Sequence, residues 1–112
     1  MPTSGDVVEV DLGVPAGSEA GLRRPALVVT ADRVLVQRPS VVQVIPLTST
    51  LRGYATEVTV PADPANGLEV PSAAQCQHIR AVAAQRIERT LGNVGPTLLA
   101  QVRETVATLL DL

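Results

Sequence analysis

Apolar and polar positions first organise at Asp6–Leu12 (DVVEVDL), where Val8, Val10 and Leu12 share one face against Val7, Glu9 and Asp11. That period of two predicts a strand. GVPAGSEAGLRR follows, with three Gly and one Pro in twelve residues, and reads as a surface loop. Pro25 leads into ALVVTA, an unbroken apolar run of strand length that predicts burial on both faces. Asp32–Ser40 is a connection of unassigned type. Val41–Leu47 (VVQVIPL) predicts a third strand, ended by Thr48, Ser49 and Thr50, and Pro46 argues for an edge position or a bulge. Arg52–Ala55 predicts a turn and Thr56–Val60 a fourth strand; Asn66-Gly67 is a strong tight-turn signal. Ser72–Val82 is compatible with strand or helix. Gly95-Pro96 opens a helix, with proline where its missing N–H costs nothing, and Leu98, Leu99, Val102, Val106, Leu109 and Leu110 then recur at helical spacing. The pattern predicts a mainly β domain over residues 1–112, of five or six short strands closed by a C-terminal helix.

Composition narrows this picture. With 46% hydrophobic and 18% charged residues among 112, the chain has enough apolar surface to bury a core and too little charge for a disordered class. Phe and Trp are absent and Tyr54 is the sole aromatic residue, so the core must come from Val, Leu, Ile and Ala. The net charge of −2 excludes a global basic field, yet all nine basic residues are Arg. Any phosphate binding must therefore be local, through the planar guanidinium fork. The lone Cys76 cannot form an internal disulfide and suits a reducing cytoplasm. The N-terminus lacks the basic start and apolar stretch of a signal peptide, and no apolar run is long enough to span a membrane, so a soluble cytoplasmic protein is expected.

Most catalytic signatures are missing: no nucleophile elbow, no phosphate-binding glycine loop, no Cys or His pairs at zinc spacing. No metal and no cofactor is expected. Cys76 reads as a small buried apolar residue and His78 as a structural or surface one. Two features stand out. Arg23-Arg24-Pro25 joins the glycine-rich loop to a buried strand, and Thr48-Ser49-Thr50 gathers hydroxyls at the end of another. Arginine beside hydroxyls makes a sensible phosphate cradle; the plainer alternative is a strand start and a polar turn.

GDVVEVDL, GSEAGLRRPALVV, VIPLTS, QHIRAV with Arg86-Ile87, and the closing GNVGPTLLAQVRETVATLLDL resemble, in order, the successive blocks of the MazF/PemK (Kid-like) toxins. The resemblance covers nearly the whole chain. It implies an SH3-like small antiparallel barrel that pairs into a homodimer. It also implies the toxin role in a type II toxin–antitoxin system: a metal-independent, sequence-specific endoribonuclease that cuts single-stranded RNA by 2′-hydroxyl attack and halts translation and growth. The implied substrate is mRNA, with tRNA and rRNA also open, and the implied partner is a cognate MazE-like antitoxin. Arg24 and Thr48 match the catalytic arginine and threonine. Ser49 lies in reach of the scissile phosphate, and Glu19 matches an acidic position near the RNA. Gln77 and His78 stand where relatives often carry an acidic residue followed by Gln; Gln77 cannot accept a proton, so the match departs there. Arg52 and Tyr54 offer planes for base stacking, and Arg80 extends a positive strip along the groove. The rival classes are a CcdB-like toxin that binds gyrase without cutting, and a degenerate toxin that only binds antitoxin.

Overall fold

β-Branched Val and Ile pack well on a pleated surface, and they are concentrated in three of this chain's strands. The computed structural model describes residues 1–14, 16–17 and 22–112. Among them run β1 (Asp6–Asp11), β2 (Arg23–Val28), a short α1 (Asp32–Leu35), β3 (Val41–Thr48), β4 (Glu57–Val60), β5 (Ser72–Gln75), β6 (Arg80–Ala83), β7 (Ile87–Asn93) and α2 (Pro96–Leu110). The strands are ordered β4-β5-β3-β2-β1-β7, with β6 also on β3, and every pairing is antiparallel. Seven strands are thus described, where the sequence pattern predicts five or six.

Other expectations change too. β3 is central, so Pro46 is no edge residue; it pairs with Ala26 of β2 on one side. On the other side β6 pairs with Val41–Val44 and β5 with Leu47 and Thr48, and Pro46 occupies the gap where a ladder donor is not needed. The ambiguous stretch Ser72–Val82 is neither one strand nor one helix: β5 and β6 meet at a corner made by a single 3₁₀ turn, Cys76–His78. The apolar stripe of α2 buries only its first half. Leu99 and Val102 are in the core, whereas Leu109 and Leu110 are exposed.

Both faces of the sheet are packed. Val7, Leu27, Ile45, Leu47, Val58, Val60, Ala74 and Cys76 form one cluster beneath α2. Val8, Val10, Ala26, Val28, Val42, Val44 and Val82 form the other, with Leu35 of α1. Val7 and Val8 are therefore both buried, and β1 is not the half-exposed strand its alternation predicts. The turn after β4 bridges the two free edges. Asn66 holds it, accepting from Asp63 and Leu68 backbone N–H groups and donating to the Pro61 carbonyl. The Asn93 N–H of β7 then donates to the Ala65 carbonyl at 2.9 Å. That closure places residues 67–70 at one mouth of the barrel.

Candidate active site

The β2–β3 register pairs Ala26 with Pro46 and Leu27 with Ile45. Continued by two residues it sets Arg24 opposite Thr48, at the mouth closed by the 67–70 turn. Arg24, Thr48 and Ser49 all line one cleft of about 500 Å³, with Arg23, Glu9, Arg89, Glu69 and Ser72 on its other walls. The start of β2 delivers Arg24 to this rim, and the Thr-Ser-Thr segment at the end of β3 delivers the hydroxyls. Thr48 Oγ1 accepts the Thr50 backbone N–H at 3.1 Å, which fixes the hydroxyl and leaves its own hydrogen free to donate outward. Among the described residues Arg23 is held by Glu88 at 2.8 Å and Arg89 by Glu9 at 2.6 Å, while Arg24 has no such ion pair. It is the cleft's available cation.

The structure divides the remaining candidates. Arg52, Tyr54 and Gln77 belong to a second cluster, built on Glu57, a residue with no distinguishing signal in the sequence. Arg52 donates to Glu57 Oε2 at 2.5 Å and lies 4.6 Å above the Tyr54 ring centroid. Gln77 Nε2 donates to the same oxygen at 2.7 Å and Gln75 Nε2 at 3.5 Å. The Glu57 side chain is 2% exposed. Burial pushes its carboxyl up, but the hydrogen bonds from Gln77 and Arg52, the Arg52 charge and the Gln75 contact outweigh that, and the net shift is downward. Gln77 and His78 sit in the 3₁₀ corner, not on a strand. The carboxylate missing at Gln77 thus stands beside it, on β4. Arg80 does not reach the cleft wall; its Nη1 donates to the Leu12 carbonyl at 3.2 Å. Glu19 lies outside the described residues.

Three further residues of the cleft, Glu9, Glu69 and Arg89, had no usable sequence signal, because β7 and the 67–70 turn reach the mouth only by long-range closure. The described residues hold no cluster of His, Cys, Asp or Glu suited to a metal ion, and no helix is long and apolar enough to cross a membrane.

Cys76 lies in the core, and its thiol donates weakly to the Ala74 carbonyl at 3.7 Å. Burial, with the Glu57 charge adding to it, pushes the thiol up to about 11. Only about one molecule in ten thousand then carries the reactive thiolate at neutral pH. Iodoacetamide should leave the folded protein unlabelled over hours and modify Cys76 rapidly in denaturant; rapid labelling of the native state would contradict this burial.

An antiparallel small barrel with a terminal helix, bearing an arginine opposite a fixed hydroxyl in an open cleft, defines a small β-barrel protein with a polar cleft at one mouth. Comparison with known proteins carries this to a family. PemK-like, MazF-like toxins of type II toxin–antitoxin systems match residues 3–110. Endoribonuclease MazF9 of Mycobacterium tuberculosis is 37% identical, across all of this chain and 98% of the relative. The fold is similar to that of MazF from Deinococcus radiodurans, with a TM-score of 0.84 and 32% identity, covering 99% of this chain and 97% of that one. It is also similar to a mycobacterial endoribonuclease in complex with its cognate antitoxin, with a TM-score of 0.78 and 25% identity over 100% and 97% of the two chains. The chain belongs to the family of PemK-like, MazF-like toxins of type II toxin–antitoxin systems.

Proposed function

We propose that this toxin is a sequence-specific endoribonuclease that cuts single-stranded RNA in the Arg24–Thr48 cleft. The observation that carries the reading is the placement of Arg24 and Thr48 on adjacent strands at the wall of one open cleft. The ribose 2′-oxygen forms a bond to phosphorus as the bond to the 5′-oxygen breaks, and a proton passes from the first oxygen to the second through the cleft's water. The products are a cyclic phosphate and a free 5′-hydroxyl. Arg24 faces the charge that builds on the phosphoryl oxygens, and the Thr48 hydroxyl donates to one of them and fixes the line of attack. Ser49 extends the same set of donors. Gln77 holds no proton in this scheme.

Sequencing the 5′-hydroxyl ends of a long RNA incubated with the protein should give a short, recurrent cut sequence, and excess EDTA should leave the rate unchanged. Randomly placed ends, or strong EDTA inhibition reversed by magnesium or zinc, would count against the reading. Growth arrest with no RNA cut would favour the gyrase-binding alternative.

The toxin acts as a cytoplasmic homodimer held in check by an acidic, extended antitoxin segment. Support comes from the antitoxin-bound relative and from the exposed Val34, Val36 and Val41, which a second copy would cover. Light scattering at micromolar concentration should report twice the chain mass; a monomer throughout that range would refute the dimer. Arg52 and Arg80 are already engaged within the chain. The cation open to an acidic partner is therefore Arg24 at the cleft, since Arg23 and Arg89 are paired with Glu88 and Glu9.

A further inference from the structure

Among the described residues, three buried side-chain oxygens have no hydrogen-bond partner: Oε1 of Glu57, of Gln75 and of Gln77. They belong to three side chains that meet at one atom, Glu57 Oε2. An unpartnered buried acceptor is costly, and three in one place make a cluster short of donors. Gln75, Gln77 and Arg52 each direct a donor at Oε2, which leaves the Oε1 atoms unmet, so what the cluster lacks is a donor-rich group from outside.

Its position says what that group is. Val58, Ala74 and Leu47 face the core, so Glu57, Gln75 and Thr48 lie on the opposite face of the sheet. Thr48 pairs with Ala73 of β5, and Ala73 with Thr59 of β4. Gln75 and Glu57 sit two residues along from that row, on the next strand and the one after. At about 4.8 Å between strands and about 3.3 Å per residue, they lie roughly 8 to 12 Å from Thr48, within reach of a base attached next to the phosphate held there. The acceptors are covered in the fold, and the exposed Arg52–Tyr54 pair, joined to Glu57 through Arg52, is what must move outward to admit a base, to which it then presents planar surfaces.

We propose that Glu57, Gln75 and Gln77 form a base-reading subsite that selects guanine beside the cut, an inference that rests on the RNA-cleaving function above. Guanine is the base whose pairing edge sets a ring N–H next to an amino group, three hydrogens facing the three free acceptors, and its O6 then accepts from Arg52. Adenine and cytosine place a ring acceptor next to their amino group, and uracil flanks its single N–H with two carbonyls, so each sets oxygen or nitrogen lone pairs against the cluster. Glu57 supplies the strongest acceptor, and the two glutamines orient it.

The test uses uncleavable 2′-deoxy heptamers, uracil-rich, with guanine, adenine or cytosine placed singly at each position, bound to the full chain and followed by fluorescence anisotropy. Guanine at one position should bind about 10-fold or more tighter than uracil there. Glu57→Gln, which keeps the side chain's shape, should reduce that ratio to about 2 or less, and Gln77→Met should reduce it independently. A circular-dichroism melt confirms that each variant is folded. Binding with no guanine preference at any position, or an unchanged preference in Glu57→Gln, overturns the subsite and leaves the cleavage reading intact. Failure of every heptamer to bind overturns both.

Discussion

Arg24→Ala is expected to lower the rate of RNA cleavage by about 10²- to 10³-fold, the usual loss when one preorganised charge-stabilising group is removed. The guanidinium faces the cleft, is half-buried, and forms no ion pair among the described residues, so its removal strands no buried partner. Stability should change by about 0.5 kcal/mol or less. Thr48→Ala acts on the same step, and the double variant should therefore lose less than the product of the two single losses. Cleavage kinetics, thermal melts and growth under induced expression, run on the same proteins, separate loss of chemistry from loss of fold. An Arg24→Ala protein that is folded and cuts at the native rate would remove Arg24 from the site. Arg24→Lys is expected to recover only part of the activity, since an ammonium keeps the charge but lacks the two-pronged fork.

Gly67→Ala is expected to cost about 3 kcal/mol or more, the largest stability effect we foresee for a single methyl group. Gly67 has φ near +72°, where an L side chain is strained by roughly 1 kcal/mol. A Cβ there would also fall well inside contact distance of the Leu91 carbonyl of β7. That neighbour is backbone, so relief would have to displace β7 or the turn that bridges the barrel edges. Both Gly67 and Leu91 line the Arg24–Thr48 cleft, so such a displacement should also depress cleavage. Gly53→Ala is the control. Its φ is similar, +69°, but nothing lies within 4 Å of the added carbon, and it should show the conformational strain alone. Thermal melts of the two variants, compared directly, read out the steric part. Equal melting temperatures would mean that the turn yields without cost.

Gln77 shows how local spacing misleads. Read along the chain it is an amide where an acid is expected, and the proton chemistry looks incomplete. Across strands it lies 2.7 Å from a carboxylate twenty residues earlier in the chain. Arg52 and Tyr54 show the same thing in another form. Each is visible as a candidate by residue type, but that Arg52 shares the Glu57 carboxylate with Gln75 and Gln77 depends on β4 and β5 being neighbours. Pro46 is the converse case. Its chemistry argues for an edge, and only the changeover from β6 to β5 along β3 explains how a proline is tolerated at the centre of the sheet.

What the sequence by itself determined is what short-range periodicity and residue chemistry carry. Alternating Val positions mark β1, β3 and β4, and the Gly-Pro start marks α2. Asn66-Gly67 marks its turn, and the ordered blocks around Arg24 and Thr48 mark the family and its two catalytic candidates. Tertiary structure decided the rest: β7 and the two-strand corner at Cys76–His78, the burial of both faces of β1, the exposure of the last turn of α2, and the grouping of the site residues into a phosphate cleft and a separate acceptor cluster. The physical reason is that pairing register and barrel closure join residues far apart in the chain. A strand's period of two says which residues share a face, but not which strand lies beside it. Arg24 and Thr48 were both legible as candidates; that they stand opposite one another is a property of the β2–β3 register.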